Sequence, residues 1–304
     1  MMRKLKLNRE PMLTKVRKIR PSDHEAILEI SKHIWDGHDY LPSVVDEWLK
    51  DPDSHTYGVE FDNRLVAIAN LRVIEEGKTG WMEGLRVHQD HRGKGYADAL
   101  TRHLIEKGEQ LGVHRLRYTT ATENEASLKI ASNYAFSKVF EAGVFWHPNP
   151  KIRNKIAAHP DIRESNPKET YTLLKRNPSL IPHKTLIYDW KALEVSSKSL
   201  EIIGKTCRFF TTLKDGQADS LSLVYLRRQE SQSIWMTTIY AKEPIGFMSQ
   251  LCYDIDVAQD EGIRRMMCTY EIEHEETLRD CGLLSNRRWH TNMVLLERRL
   301  SKSS

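Results

Sequence analysis

The residues with the most chemical content fall in one short stretch, Glu83-Gly84-Leu85-Arg86-Val87-His88-Gln89-Asp90-His91-Arg92-Gly93-Lys94-Gly95-Tyr96-Ala97. A strand-like run ends near Val87, a loop with Gly93 and Gly95 follows, and a helix-like run begins. The start of a helix offers unpaired N–H groups and the positive end of the helix dipole. Glycines let a phosphate come close to the backbone, and Arg92 and Lys94 add positive charge. In physical terms this is a pyrophosphate cradle. Taken alone, Gly-x-Gly before a helix is a weak signal, because ordinary strand–helix turns also use glycine. Glu83 is the carboxylate on the strand that leads into the cradle. It reads either as a general base or as a half-exposed strand glutamate in an ion pair.

The elements around this stretch alternate. Residues 16–20 read as a strand, and Asp23 is placed to cap a helix whose apolar positions Ile27, Leu28, Ile30 and Ile34 recur at helical spacing. Residues 37–42 read as a loop and 44–49 as a short helix. Residues 56–61, 65–73 and 81–87 read as strands separated by Asp62-Asn63 and Glu76-Gly77 turns. A helix over 95–111, a strand over 115–120, a helix over 126–133 and a strand over 137–145 complete the first half. Residues 148–168, rich in Pro, Asn and charge, read as a boundary. The expected organisation is a flexible 1–14, a domain over 15–148, a linker over 149–168 and a second domain over 169–304.

Size and composition bound the rest. The chain has 304 residues, enough for two domains, and 39% of them are hydrophobic. No apolar run approaches the ~20 residues that a membrane helix needs, and the basic N-terminal segment lacks the apolar stretch of a signal peptide. The four cysteines, Cys207, Cys252, Cys268 and Cys281, form no C-x-x-C pair and no zinc-type spacing, so no metal site is expected. Reduced thiols suit a cytoplasmic location. The formal net charge of +4 suits an anionic cofactor without requiring nucleic acid, and no basic stripe with interleaved aromatics is present.

At Arg92-Gly93-Lys94-Gly95-Tyr96-Ala97 the chain resembles the GNAT superfamily, the GCN5-related N-acetyltransferases, whose signature is Arg/Gln-x-x-Gly-x-Gly/Ala. Asn124, Ser127 and Tyr134-Ala135-Phe136 resemble the second signature of the family. The resemblance implies a mixed-sheet α/β fold, acetyl-CoA as co-substrate and an amine as acceptor. It implies that Leu85, Arg86 and Val87 meet the pantetheine, that the backbone of Arg92, Gly93, Lys94, Gly95, Tyr96 and Ala97 meets the pyrophosphate, and that Asn124 joins the cofactor contacts. By the same resemblance Glu83 is the base. The tyrosine that protonates the departing thiolate in many members is here Ala131. Tyr134, one helical turn further, is either its replacement or a core residue. The usual glycine before Phe136 is Ala135.

Asp36-Gly37-His38-Asp39-Tyr40-Leu41-Pro42, with Trp48-Leu49 and Ile187-Tyr188-Asp189-Trp190, carries a closer resemblance to the histidine N-acetyltransferase group. That implies transfer to the α-amine of a free amino acid, L-histidine in that group, in a ternary complex. Asp39 and Tyr40 are then substrate contacts or, alternatively, loop anchors, and Arg86 is one arginine that could meet a carboxylate. Rival readings are another amine or a protein as acceptor, and a regulatory protein that binds CoA without turnover.

The second half resembles the first. Residues 81–87 line up with 235–241, and residues 121–128 with 271–278. Thr237 then stands where Glu83 stands, the phosphate loop is shortened, and Pro244 removes a backbone donor. The expectation is a degenerate, non-catalytic GNAT-like domain. The acidic cluster Glu271, Glu273, Glu275 and Glu276 reads as a solvated face or, alternatively, as a contact to a basic substrate. The oligomeric state has no signal in the sequence.

Overall fold

The computed structural model describes residues 15–34, 39–152, 161–214, 216–228, 233–284 and 290–300. The expected flexible 1–14, the first three residues of the Asp36–Pro42 motif and residues 153–160 of the expected linker lie outside these residues. The chain forms two compact units, one of residues 1–117 and 298–304 and the other of residues 118–297.

The first unit is built on β1 (Lys15–Lys18), β2 (Ser54–Phe61), β3 (Arg64–Ile74) and β4 (Thr79–Val87), consecutive antiparallel neighbours. The start of β5 (Arg115–Ala121) pairs parallel to β4. Helices α1 (His24–Ser31) and α2 (Leu41–Lys50) cover one face, and α3 (Tyr96–Gln110) follows β4 on the other. Ile27, Ile30, Leu41, Val45 and Trp48 from the two helices pack with Leu65 and Ile68 of β3. On the opposite face Gly80 and Gly108 of α3 both approach Leu116 and Val113. Helix α2 begins earlier than the expected 44–49, because Pro42 is tolerated in a first turn whose N–H groups are unpaired anyway. Asp23 does not cap α1 through its side chain; its carboxylate instead binds Arg17 and the Arg20 N–H.

The second unit contains α4 (Glu125–Asn133), β6 (Ser137–His147), β7 (Arg163–Ser165), α5 (Pro167–Arg176), the hairpin β8 (Thr185–Tyr188) and β9 (Lys191–Glu194), and α6 (Ser197–Ile203). It continues with β10 (Cys207–Lys214), β11 (Gln217–Arg228), β12 (Ser233–Ala241), α7 (Pro244–Asp260), β13 (Arg265–Glu271), α8 (Glu275–Asp280) and most of β14 (His290–Arg299). Its strands run in the order β14, β6, β13, β12, β11, β10, β7. Among the described residues of these seven strands, β12 and β13 pair parallel and the other neighbours antiparallel. Phe145, Trp235, Ile239, Phe247, Leu251 and Tyr270 form the core beneath α7. Ala142, Ile187, Met236, Met267 and Met293 form a second layer.

The expected division at 149–168 differs from the observed one. Strand β6, read as the last strand of the first domain, pairs with β13 on one side and β14 on the other, both from the second half of the chain. Nothing local in 137–147 selects a partner, because strand pairing is set by long-range packing.

Candidate active site

Strand β4 carries the site. Its parallel pairing with β5 covers Thr79–Arg115, Gly80–Leu116 and Trp81–Arg117 and goes no further among the described residues. Beyond Trp81, β4 runs on to Val87 with β3 as its partner. The β3–β4 register jumps from Asn70–Glu83 to Ile68–Arg86, so Gly84 and Leu85 form a bulge. Gly84 has φ +66°, and a Cβ there would lie 2.5 Å from the Trp48 ring. Only glycine fits this backbone against this indole. The bulge also decides side-chain direction. Glu83 and Arg86, three residues apart, both point toward α1 and α2.

Glu83 is held by a network that spans three strands. Asn70, fully buried, donates from Nδ2 to Glu83 Oε1 at 3.0 Å, and its Oδ1 accepts from the Thr56 hydroxyl at 2.9 Å. Arg72 Nε lies 3.8 Å from Glu83 Oε1 and 3.2 Å from Asp51 Oδ2 at the end of α2. Ser54 Oγ accepts from Arg72 Nε at 3.2 Å and donates to Asp51. The Glu83 side chain keeps 11% of its surface exposed. It is therefore a fixed carboxylate with a narrow opening, an arrangement suited to receiving a proton. Asn70 and Arg72 went unread in the sequence. Their signal was available, as two polar residues at i and i+2 that break the otherwise apolar run from Leu65 to Val73.

Asp39 and Arg86 differ from the expectation of direct substrate contact. Arg86 Nε and Nη2 each lie 3.0 Å from an Asp39 oxygen, a bidentate clamp, and the Asp39 side chain is 1% exposed. Asp39 also accepts from the Leu41 N–H, at 3.4 Å, so it anchors the entry of α2. A carboxylate committed in this way has no surface to offer an acceptor, and Arg86 is turned to Asp39 rather than outward. Tyr40 is different. The residue is 38% exposed, yet its hydroxyl end turns in toward the Gly84 backbone and Arg86. Burial of that hydroxyl pushes its pKa up to about 12, so the phenol keeps its proton at neutral pH.

The glycine loop has the features of an anion cradle. Gly93 and Gly95 have φ +73° and +84°, and a Cβ built at either meets open space. Gly95 is the N-cap of α3 and no side chain caps that helix, so the N–H groups of its first turn face outward. Arg92 and Lys94 are exposed beside it, with the Lys94 ammonium 5.8 Å from the Phe61 ring centre. The Tyr96 side chain is buried, which leaves its backbone as the part available to a ligand. These residues fit a pyrophosphate.

Asn124 and Tyr134 lie in the second unit. Asn124 caps α4, its Oδ1 accepting from the Ser127 N–H at 3.2 Å, so the expected cofactor contact is a helix cap in this structure. Ala131 is buried. Tyr134 is the half-buried C-cap of α4, and Ala135 takes the left-handed conformation, φ +54°, usually given to glycine.

Residues 21–136 match the Acetyltransferase (GNAT) family model. This segment is a GNAT-family domain. The histidine N-acetyltransferase of Oreochromis niloticus is 36% identical over 202 residues, 60% of this chain and 60% of that protein. The histidine N-acetyltransferase of Xenopus tropicalis is 25% identical over 190 residues, 57% of each chain. The chain thus spans about 60% or less of the length of the curated relatives it matches. A tandem GNAT protein from the clavulanic acid biosynthesis pathway superposes with TM-score 0.59 at 12% identity. That match covers 96% of this chain and 100% of the other, and at this identity it speaks for the fold alone. The fold is the mixed α/β GNAT fold with a second GNAT-like C-terminal domain.

The second unit departs from the first within its own architecture. The parallel β12–β13 ladder stays closed from Ile234–Arg265 to Ile239–Tyr270, where β4 and β5 part after Trp81. Pro244 occupies the first turn of α7, which follows β12 directly. Thr237 points at α7, its hydroxyl donating to Asp254 at 2.6 Å, whereas Glu83 points away from α3. The residue-for-residue match of 81–87 with 235–241 therefore places the two on opposite faces, and Thr238 is the β12 residue whose face corresponds. A one-residue offset inverts every side chain of a strand.

Proposed function

We propose that the protein is an N-acetyltransferase that moves the acetyl group of acetyl-CoA to the α-amine of a free amino acid, L-histidine above all, in a direct ternary complex. The observation that carries this reading is Glu83, fixed by Asn70 beside the Gly84 bulge, on a strand whose described pairing with β5 ends at Trp81. Acetyl-CoA supplies the activated acyl group. The backbone of residues 92–97 holds the pyrophosphate, and the parted edge of β4 at Leu85 and Val87 holds the pantetheine. Glu83 takes the proton from the acceptor ammonium, directly or through one water, because the amine is not nucleophilic until that proton leaves. The Leu85 N–H, at the bulge, is the candidate donor to the oxyanion. Tyr40 borders the acceptor, and Asp39 and Arg86 position the loop that carries it. Tyr134 is the candidate acid for the departing thiolate.

The choice of histidine rests on the relatives' names and on the residues shared with that group. Four free, buried cysteines suit a cytoplasmic setting. Buried Ala131, in place of the family tyrosine, favours a second reading, a CoA-binding regulator without turnover. Release of CoA from acetyl-CoA, measured with each of the twenty free amino acids, separates the two. Turnover with histidine, reduced at least ~100-fold by Glu83→Gln, is the expected result. Acetyl-CoA binding without turnover on any amino acid overturns it.

A further inference from the structure

We propose that the C-terminal unit holds a second, non-catalytic binding site for a small organic ammonium compound, in the cavity between the 182–187 segment and the ends of β12 and β13. The cavity measures about 160 Å³. That is close to the ~150 Å³ of a protein cavity known to take up benzene. Phe140, His183, Thr238, Tyr240 and Glu271 line it.

Two of these side chains are polar, largely buried and unanswered. The Glu271 side chain is 15% exposed, and among the described residues no lysine or arginine pairs with it. His183 Nε2 stands 3.8 Å from its Oε1, too far for a hydrogen bond. His183 Nδ1 is buried and has no partner among the described residues. The ring cannot swing out to find one easily, because Phe140 stacks on it at 4.2 Å between centroids. Tyr240 is already satisfied, accepting from the Ile187 N–H at 2.7 Å and donating to the Thr185 carbonyl. Buried polar groups are nearly always paired, and the exceptions call for a ligand or another explanation.

The missing partner must be cationic and able to donate hydrogen bonds. Glu273 sits at the rim and adds a second negative charge. Burial pushes the His183 imidazolium down to about 4, so His183 is neutral near pH 7 and is no counter-ion. Burial, with repulsion from Glu273, pushes the Glu271 carboxyl up to about 7, a state that an ammonium reverses by pairing with it. The aromatic ring of Tyr240 lines the same cavity, a surrounding that suits a cation, and the neutral imidazole offers a lone pair. A metal ion fits poorly, since no cluster of three His, Cys, Asp or Glu occurs among the described residues. Acetyl transfer at this place is not part of the proposal, because the closed β12–β13 ladder and Pro244 leave no cofactor cradle.

The test uses the full chain with methyl-labelled isoleucine and n-butylamine as probe, with n-butanol as its uncharged match. Ile187 and Ile272 border the cavity. Their methyl signals are expected to move along one saturating curve with millimolar n-butylamine and to stay put with n-butanol. Glu271→Gln is expected to weaken that response at least tenfold while the other isoleucine signals keep their positions, which reports an intact fold. Glu83→Gln is expected to leave it unchanged, which separates this cavity from the acetyl-transfer site. No movement with the amine, an equal response to n-butanol, or undiminished binding in Glu271→Gln overturns the proposal.

Discussion

At the scale of residues, Glu83 is defined by what holds it. A strand glutamate free to rotate spreads its carboxylate over several rotamers, and most of them do not face an acceptor. Asn70 removes that freedom from the neighbouring strand, and Thr56 in turn fixes which end of the Asn70 amide donates. Asn70 is thus a positioning residue, and Asn70→Ala tests it. The expected result is a 10–100-fold fall in kcat with the KM for acetyl-CoA unchanged, because the glycine loop is untouched. A fall in cofactor affinity of similar size would instead mean that the sheet itself had been damaged. The Arg86–Asp39 pair has a different task. It is enclosed and bidentate, and breaking it strands a buried charge at the entry of α2.

At the scale of elements, the site depends on one irregular strand. The Gly84 bulge turns Glu83 and Arg86 to the same face and lets Trp48 pack close against the backbone. Gly84→Ala forces an L-residue to φ +66° and drives a methyl into the indole. The conformation costs ~1–2 kcal/mol and the overpacking another ~1–3. A loss of about 2–5 kcal/mol in chemical denaturation, with activity lost in the fraction that still folds, is therefore expected. Wild-type activity in this variant would remove the bulge from the mechanism. The sequence made part of this legible. Gly93 and Gly95 before a helical period announced the cradle, because a left-handed N-cap at a helix start is a local requirement. Glu83 was visible by type and place. Asn70 and Arg72 were visible only as polar breaks in an apolar run, and their meaning needed the register of three strands. The partners of β6 and the opposite facing of Thr237 were not legible. Both depend on long-range pairing, and a strand pattern of period two is unchanged by a shift of two while a shift of one inverts it.

At the scale of the molecule, the two units solve the same sheet-and-helix problem with opposite chemistry. In the second, the polar residues of β11 and β12 are spent inward on α7. Ser222 and Thr237 donate to Asp254, which is fully buried, and Gln250 joins Ser220 and Ser222. Burial pushes the Asp254 carboxyl up to about 7 against those hydrogen bonds. Between its ordinary value of 3.8 and 7 the folded protein keeps this proton while the unfolded chain has lost it, so this group's contribution falls as pH rises through that window. The slope is ~1.4 kcal/mol per pH unit, or roughly 3 kcal/mol between pH 5 and 7. Asp254→Asn, compared with wild type in denaturant melts, is expected to gain in relative stability by that order over the same range. A difference independent of pH would show that Asp254 is ionised throughout. The same inward use of polar groups, with the closed β12–β13 ladder and Pro244 where a cradle would need its donors, leaves the glycine loop of the first unit as the expected pyrophosphate site among the described residues. Calorimetric titration with acetyl-CoA should accordingly give one site per chain, and Gly95→Asp, which places a carboxylate at the start of α3 beside the bound anion, should abolish it. Two equivalents per chain, or one equivalent that survives Gly95→Asp, would place a cofactor site in the second unit and undo the division of labour between the halves.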